Sequence, residues 1–193
     1  MIHKLAYKIA YIFVRHGEST ENNVDIYAYA VEAVIALLLN FLICIVISLL
    51  FGRVIEGIIF ITIFAVFRRF TGGYHANSHL ACVLTFSIIL MCAMMITSFI
   101  SEISISFFIT SAIAIIAWLG IFTLAPIDDK NRHYEGERRA ILKKKSIAVS
   151  TLLLIICTVV GFSLSIYIAL IIALAMFSVF GSMVYALVRN RMT

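Results

Sequence analysis

Residues 33–51 read AVIALLLNFLICIVISLLF, nineteen consecutive positions without a charge, interrupted in polarity only by Asn40, Cys44 and Ser48. About twenty such residues cross the ~30 Å hydrocarbon core of a bilayer as one α-helix. A surface helix of a water-soluble domain would instead keep a polar face. The same texture recurs outward along the chain, at 54–67, 80–100, 103–125, 146–160 and 163–188. Across all 193 residues 63% are apolar, 13% are charged, the mean hydropathy is +1.10 and there is one proline, whereas roughly half apolar is usual for soluble domains. These features predict an all-α integral membrane protein of about six transmembrane helices, forming a single membrane domain in the lipid bilayer. The second span is short, bracketed by Arg53 and the Arg68-Arg69 pair, and its path is thin, tilted or re-entrant.

The net charge of +5 would suit a nucleic-acid partner, but the basic residues gather in short stretches between spans, as topology determinants do, and no nucleic-acid motif accompanies them. Lys and Arg number three before the first span, one at Arg53, two at Arg68 and Arg69, none at Ser101-Glu102, seven between Pro126 and Lys145, none near Gly161 and two after Val188. That alternation predicts that both termini and the loops 68–79 and 126–145 face the cytoplasm of a multi-pass cell-membrane protein. Gly52-Arg53, Ser101-Glu102 and Gly161-Phe162 read as tight hairpins. Glu32 and Glu56, the acids nearest the membrane core, read as interfacial.

Residues 1–23 form a separate N-terminal stretch. Ile2, Leu5, Ile9 and Ile12 recur at helical spacing with Lys4 and Lys8 elsewhere, the pattern of an amphipathic helix lying in the interface. A signal peptide is not expected, because a long apolar core and a small-residue cleavage pattern are missing. Within this stretch Phe13-Val-Arg-His-Gly-Glu-Ser19 resembles the Arg-His-Gly signature of phosphoglycerate-mutase-like phosphatases. Such a motif ends the first strand of a soluble α/β domain, for which the membrane helices leave no room. His16 then reads as a surface residue ahead of a helix opening near Asn22 or Asn23, both good caps. No internal repeats or low-complexity segments occur.

Between the second and third spans the chain reads RRFTGGYHANSHLAC, Arg68 to Cys82. The four cysteines, Cys44, Cys82, Cys92 and Cys157, show no CxxC pairing, and three lie inside apolar runs as small hydrophobes. Cys82 stands about one turn inside the third span, near the interface. A thiol near a histidine is the usual route to a nucleophilic thiolate. If Tyr74 to Cys82 were one continuous helix, His79 would neighbour Cys82 at i, i+3 and His75 would be about 10 Å of rise away. If the helix opens later, capped by Asn77 or Ser78 after the permissive Gly72-Gly73, His75 lies on a loop that can fold back over the helix end. A Cys/His pair implies acyl transfer through a thioester, whose oxyanion needs donors. The backbone N–H groups of Gly72 and Gly73, the Asn77 amide and the Arg68 guanidinium are candidates. A packing role for Cys82 with the arginines as topology charges is the plain alternative. A metal site is not expected, because His75, His79 and Cys82 have no fourth ligand beside them, and no cofactor is indicated.

Arg68, followed by Gly72-Gly73-Tyr74-His75-Ala76 and then Cys82, resembles the active-site segment of the accessory gene regulator B (AgrB) family, membrane-embedded cysteine endopeptidases that process a quorum-sensing peptide precursor in Gram-positive bacteria. Tyr29-Ala-Val-Glu32 resembles that family's Tyr-Gly-Leu-Glu, with Ala30 in place of glycine, and Ala125-Pro126-Ile-Asp-Asp-Lys-Asn131 resembles its loop after the fourth span. Residues 25–189 fit in order and size; residues 1–23 match less well. The resemblance implies Cys82 as nucleophile, His75 as base, and Arg68 and Gly73 as supporting positions, leaving His79 without a catalytic counterpart. It further implies an AgrD-like precursor peptide as partner, cleaved through a Cys82 acyl-enzyme and then cyclised to a thiolactone or lactone, and a homodimer of this chain. Such precursors have acidic C-terminal regions, which the basic loop, Lys143, Lys144 and Lys145 above all, would attract; topology alone also accounts for those lysines. The rival from another class is a peptide exporter without peptidase activity, which six spans and a basic loop equally fit and which has no need of a thiol.

Overall fold

The structure, a computed structural model, describes residues 2–15, 24–72, 79–100, 106–128 and 136–192. These residues form seven helices: α1 (Ile2–Arg15), α2 (Val24–Leu50), α3 (Val54–Thr71), α4 (His79–Ile100), α5 (Ser106–Leu124), α6 (Gly136–Ser163) and α7 (Ile166–Met192). Five of them, α2, α4, α5, α6 and α7, are long and apolar enough to cross a membrane. The all-α membrane architecture is therefore the one the apolar runs predict. The sixth expected span, α3, is an unbroken 18-residue helix that carries Glu56 in its first turn and Arg68 and Arg69 in its last. Its uncharged stretch is too short for a full crossing.

Two helices outrun their apolar segments. The basic stretch expected as a loop up to residue 145 is helical from Gly136 onward, so Arg138, Arg139 and Lys143 to Lys145 ride on the first turns of α6. Glu, Arg, Lys, Ala and Leu are all good helix formers, and a search for apolar runs stops at the charged ones. Similarly α2 opens at Val24 rather than at the hydrocarbon edge, with Asp25 in its first turn, where the helix dipole favours an acid.

The chain divides into two compact units, Met1–Ile43 with Ala76–Ser87, and Cys44–His75 with Ile88–Thr193. In the first, small residues make the buried line: Ala6 and Ala10 of α1 and Ala28 and Ala36 of α2. The Tyr7 hydroxyl donates to Asp25 Oδ1. That bond, with some desolvation and the Asp25 charge, raises the phenol above its ordinary pKa. Ile12, on the apolar side of α1, is exposed, as a helix that presents that side to lipid requires. His16, Asn22 and Asn23 lie outside the described residues.

In the second unit α7 is the hub. Ala169 to Met176 are buried without a gap, and α3, α5 and α6 all pack on α7, with α6 also touching α3 and α5. Close approach relies on small residues: a Cβ on Gly120 would stand 2.3 Å from the Phe180 ring. Ser48 and Thr97, both buried, turn their hydroxyls onto their own helices, Ser48 to Cys44 O at 2.6 Å and Thr97 to Ala93 O at 2.8 Å, which satisfies a polar side chain where water is absent. The α2–α3 turn is a Schellman cap: Arg53 N donates to Ser48 O at 2.8 Å and Gly52 N to Leu49 O at 3.0 Å, with Gly52 at φ 64°.

Candidate active site

Helix α3 stops at Gly72 because the backbone there turns to φ 70°, ψ −148°, a region essentially reserved to glycine. Thr71, fully buried, turns its hydroxyl to Phe67 O at 3.1 Å and Gly72 O at 3.2 Å. Its carbonyl accepts a hydrogen bond from Ile127 N at 2.9 Å, and Gly72 and Ile127 form a parallel bridge. A Cβ at Gly72 would lie 2.2 Å from the Ile127 carbonyl oxygen. No side chain fits there.

The partner segment follows α5. Ala125, Pro126 and Ile127 are buried, the Ala125–Pro126 bond is cis, and Asp128 is held twice. Arg139 Nη1 of α6 reaches its Oδ2 at 3.2 Å, and Asn190 Nδ2 of α7 donates to its carbonyl at 2.8 Å. A cavity of about 270 Å³ opens beside these residues, with Leu124, Pro126 and Leu187 as its apolar walls. The ends of α3, α5 and α7 and the start of α6 thus gather at one end of this unit. The alternation of basic stretches predicted that shared end.

Two further expected residues stand on this end. Arg68, in the last turn of α3, is half-buried, with its guanidinium carbon 5.7 Å from the Phe64 ring centroid. Lys145 Nζ lies 5.9 Å from the Phe70 ring centroid, which brings the basic turns of α6 beside the end of α3. Lys143, Lys144 and Lys145 are all exposed, but consecutive helical positions are about 100° apart. They fan around α6 instead of forming one patch; Lys143 shares a face with Arg139 and Lys145 with Arg138.

Cys82 is the fourth residue of α4, half-buried. It sits in the first turn, where backbone N–H groups lack intrahelical acceptors and the positive end of the dipole lies. His79 opens the same helix three residues ahead. Gly73, His75 and Asn77 lie outside the described residues. The other cysteines have different surroundings: Cys44 Sγ donates to Gly57 O and Cys157 Sγ to Ala169 O, both at 3.2 Å, and Cys92 is exposed.

Sequence reasoning noticed the 125–131 stretch but assigned it no contact. Its tie to α3 runs backbone to backbone, and its tie to Asn190 spans 62 residues. Neither leaves a local pattern to read.

The chain matches the family model described as Accessory gene regulator B over residues 6–186. It is 30% identical over 137 residues to an AgrB-like protein of Clostridium perfringens strain SM101, and 28% identical over 137 residues to an AgrB-like protein 2 of Clostridium perfringens strain 13. Each alignment covers 68% of this chain and 64% of the relative. No solved structure matches.

Proposed function

The chain belongs to the accessory gene regulator B family, and on that premise we propose that it is a membrane cysteine endopeptidase that processes an AgrD-like precursor peptide. The observation that carries the reading is a half-buried thiol, Cys82, in the first turn of α4, inside the matched segment and seven residues after His75.

The precursor lies on the cytoplasmic face of the membrane, where both termini and the basic first turns of α6 also stand; Lys143 to Lys145 attract its acidic region. Cys82 Sγ, its proton passed to His75, attacks the carbonyl carbon of the scissile bond. Arg68 and backbone N–H groups near Gly73 stabilise the oxyanion. As the carbon–nitrogen bond breaks, His75 returns the proton to the leaving amine, the C-terminal fragment departs and a thioester to Cys82 remains. A cysteine or serine of the precursor then attacks that thioester, forming a thiolactone or lactone and restoring the thiol. Water in the same step would give a linear peptide irreversibly, so the site works best dry. The active chain is a homodimer.

Co-expression of a tagged AgrD-like precursor with the wild-type chain, Cys82→Ala, His75→Ala and His79→Ala, followed by mass spectrometry of the C-terminal fragment, tests this. Cleavage falls by roughly a thousandfold or more in the first two variants and persists in the third. Cleavage surviving Cys82→Ala would sink the peptidase and leave the peptide-exporter reading.

A further inference from the structure

We propose that the cavity at the shared end of α5, α6 and α7 seats the zwitterionic headgroup of a phosphatidylethanolamine molecule, an inference independent of the peptidase reading. The cavity holds about 270 Å³, with Leu124, Pro126 and Leu187 on its apolar side and Asp128, Arg139 and Asn190 on its polar side. Pockets for drug-sized ligands run from about 300 to 1,000 Å³, so this one takes a headgroup and not a folded peptide. Its depth in the membrane follows from the chain. No charged residue occurs from Ile103 to Ile127 or from Ser146 to Val188, and Asp128 and Arg189 are the first charges after those runs. The cavity therefore lies where α5 and α7 pass from the hydrocarbon to the headgroup region. It is apolar on one side and polar on the other, as a lipid is at the junction of its acyl chains and phosphate.

The charges choose the headgroup. A guanidinium carries five N–H donors, and the contact of Arg139 Nη1 with Asp128 Oδ2, at 3.2 Å, uses one of them. The Arg139 side chain is 52% exposed, so a phosphate can reach the others. A carboxylate has about four acceptor positions, and Asp128 gives one to Arg139, while the Asn190 amide holds the Asp128 backbone carbonyl at 2.8 Å. One cation and one anion side by side complement a phosphate and an ammonium joined by a short ethylene link. Phosphatidylglycerol would set its phosphate beside Asp128 with no cation of its own to answer the carboxylate. The quaternary ammonium of phosphatidylcholine has no N–H to donate. General attraction by the basic turns of α6 would instead favour the anionic lipid.

The test is native mass spectrometry of the full chain in detergent micelles, titrated separately with dioleoyl phosphatidylethanolamine, phosphatidylglycerol and phosphatidylcholine, to read the dissociation constant of the tightest single lipid. Phosphatidylethanolamine binds roughly tenfold tighter than either other lipid, the scale of one charge-assisted hydrogen bond. Glycerophosphoethanolamine in millimolar excess does not displace it, which separates a membrane lipid from a free headgroup. Arg139→Ala weakens phosphatidylethanolamine binding roughly tenfold and Arg139→Lys less, whereas Arg138→Ala, at the neighbouring position of α6, leaves it unchanged. Asp128→Asn, nearly isosteric, abolishes the preference and lets phosphatidylglycerol bind as well as phosphatidylethanolamine does. The thermal midpoint without added lipid reports folding, and where Arg139→Ala lowers it, Asp128→Asn decides. Four results would each overturn the proposal: equal or tighter binding of either other lipid, displacement by glycerophosphoethanolamine, binding unmoved by Arg139→Ala, or a preference that survives Asp128→Asn.

Discussion

The two ends of α3 are fastened by opposite means. At the Val54 end a backbone cap joins α3 to its chain neighbour α2, but the tie to a distant helix is made by a side chain: Arg53 stacks its guanidinium 3.7 Å from the Tyr167 ring centroid of α7, and it also reaches Glu56 at 3.7 Å. At the Thr71 end the backbone does it, through Thr71 O, the Gly72 bridge and Ile127 N. A side-chain lock leaves the polypeptide free to shift by a rotamer, whereas a backbone clasp sets dihedrals directly. The end from which the proposed reacting segment departs is tied to a distant segment through backbone, and the far end is tied to a distant helix through a side chain.

Four variants test this contrast. Gly72→Ala has the largest effect: a methyl 2.2 Å from the Ile127 oxygen at a positive φ costs roughly 3 kcal/mol, and precursor cleavage is abolished. Retention of cleavage in a variant that still inserts and folds would show that the clasp is dispensable. Gly57→Ala, near the opposite end, puts its Cβ 2.8 Å from Ser48 Cβ; it lowers stability by about 1–3 kcal/mol in detergent unfolding while the surviving protein cleaves at the wild-type rate. A catalytic loss equal to that of Gly72→Ala would erase the distinction between the ends.

Arg53→Ala removes the stacking on Tyr167 and the ion pair with Glu56, for about 1 kcal/mol, visible as a lower thermal midpoint with no change in kcat. Replacing Lys143, Lys144 and Lys145 together by alanine has the smallest effect, a two- to threefold weaker capture of an acidic precursor that disappears at high salt. Unchanged capture at low salt, with topology intact, would reduce those lysines to topology determinants.

Much of the membrane fold was legible because its signal is local. The run from Ala33 to Phe51 needs only the length of a hydrocarbon core to be read, and the basic stretches announce which helix ends lie together. Length in helices built largely from charged residues was not legible: six of the ten residues from Gly136 to Lys145 are charged, which hides the helix from a search for apolar runs, yet they extend α6 to the ion pair with Asp128. The active-site candidates were legible as residue types, Arg68 and Cys82 by spacing and resemblance. Their local settings came from the fold, with Cys82 fourth in α4 and Arg68 beside Phe64.

The all-helical membrane class, the order of the apolar helices and the candidates for a reacting segment could be read from the chain, because side-chain chemistry and periodicity are properties of neighbouring positions. That Gly72 is closed in by Ile127, that Asp128 is held by both Arg139 and Asn190, and that Lys145 stands beside Phe70 came from the folded chain alone. Those contacts join positions far apart in the chain, two of them through backbone atoms that every residue possesses, so no pattern of side chains could have marked them.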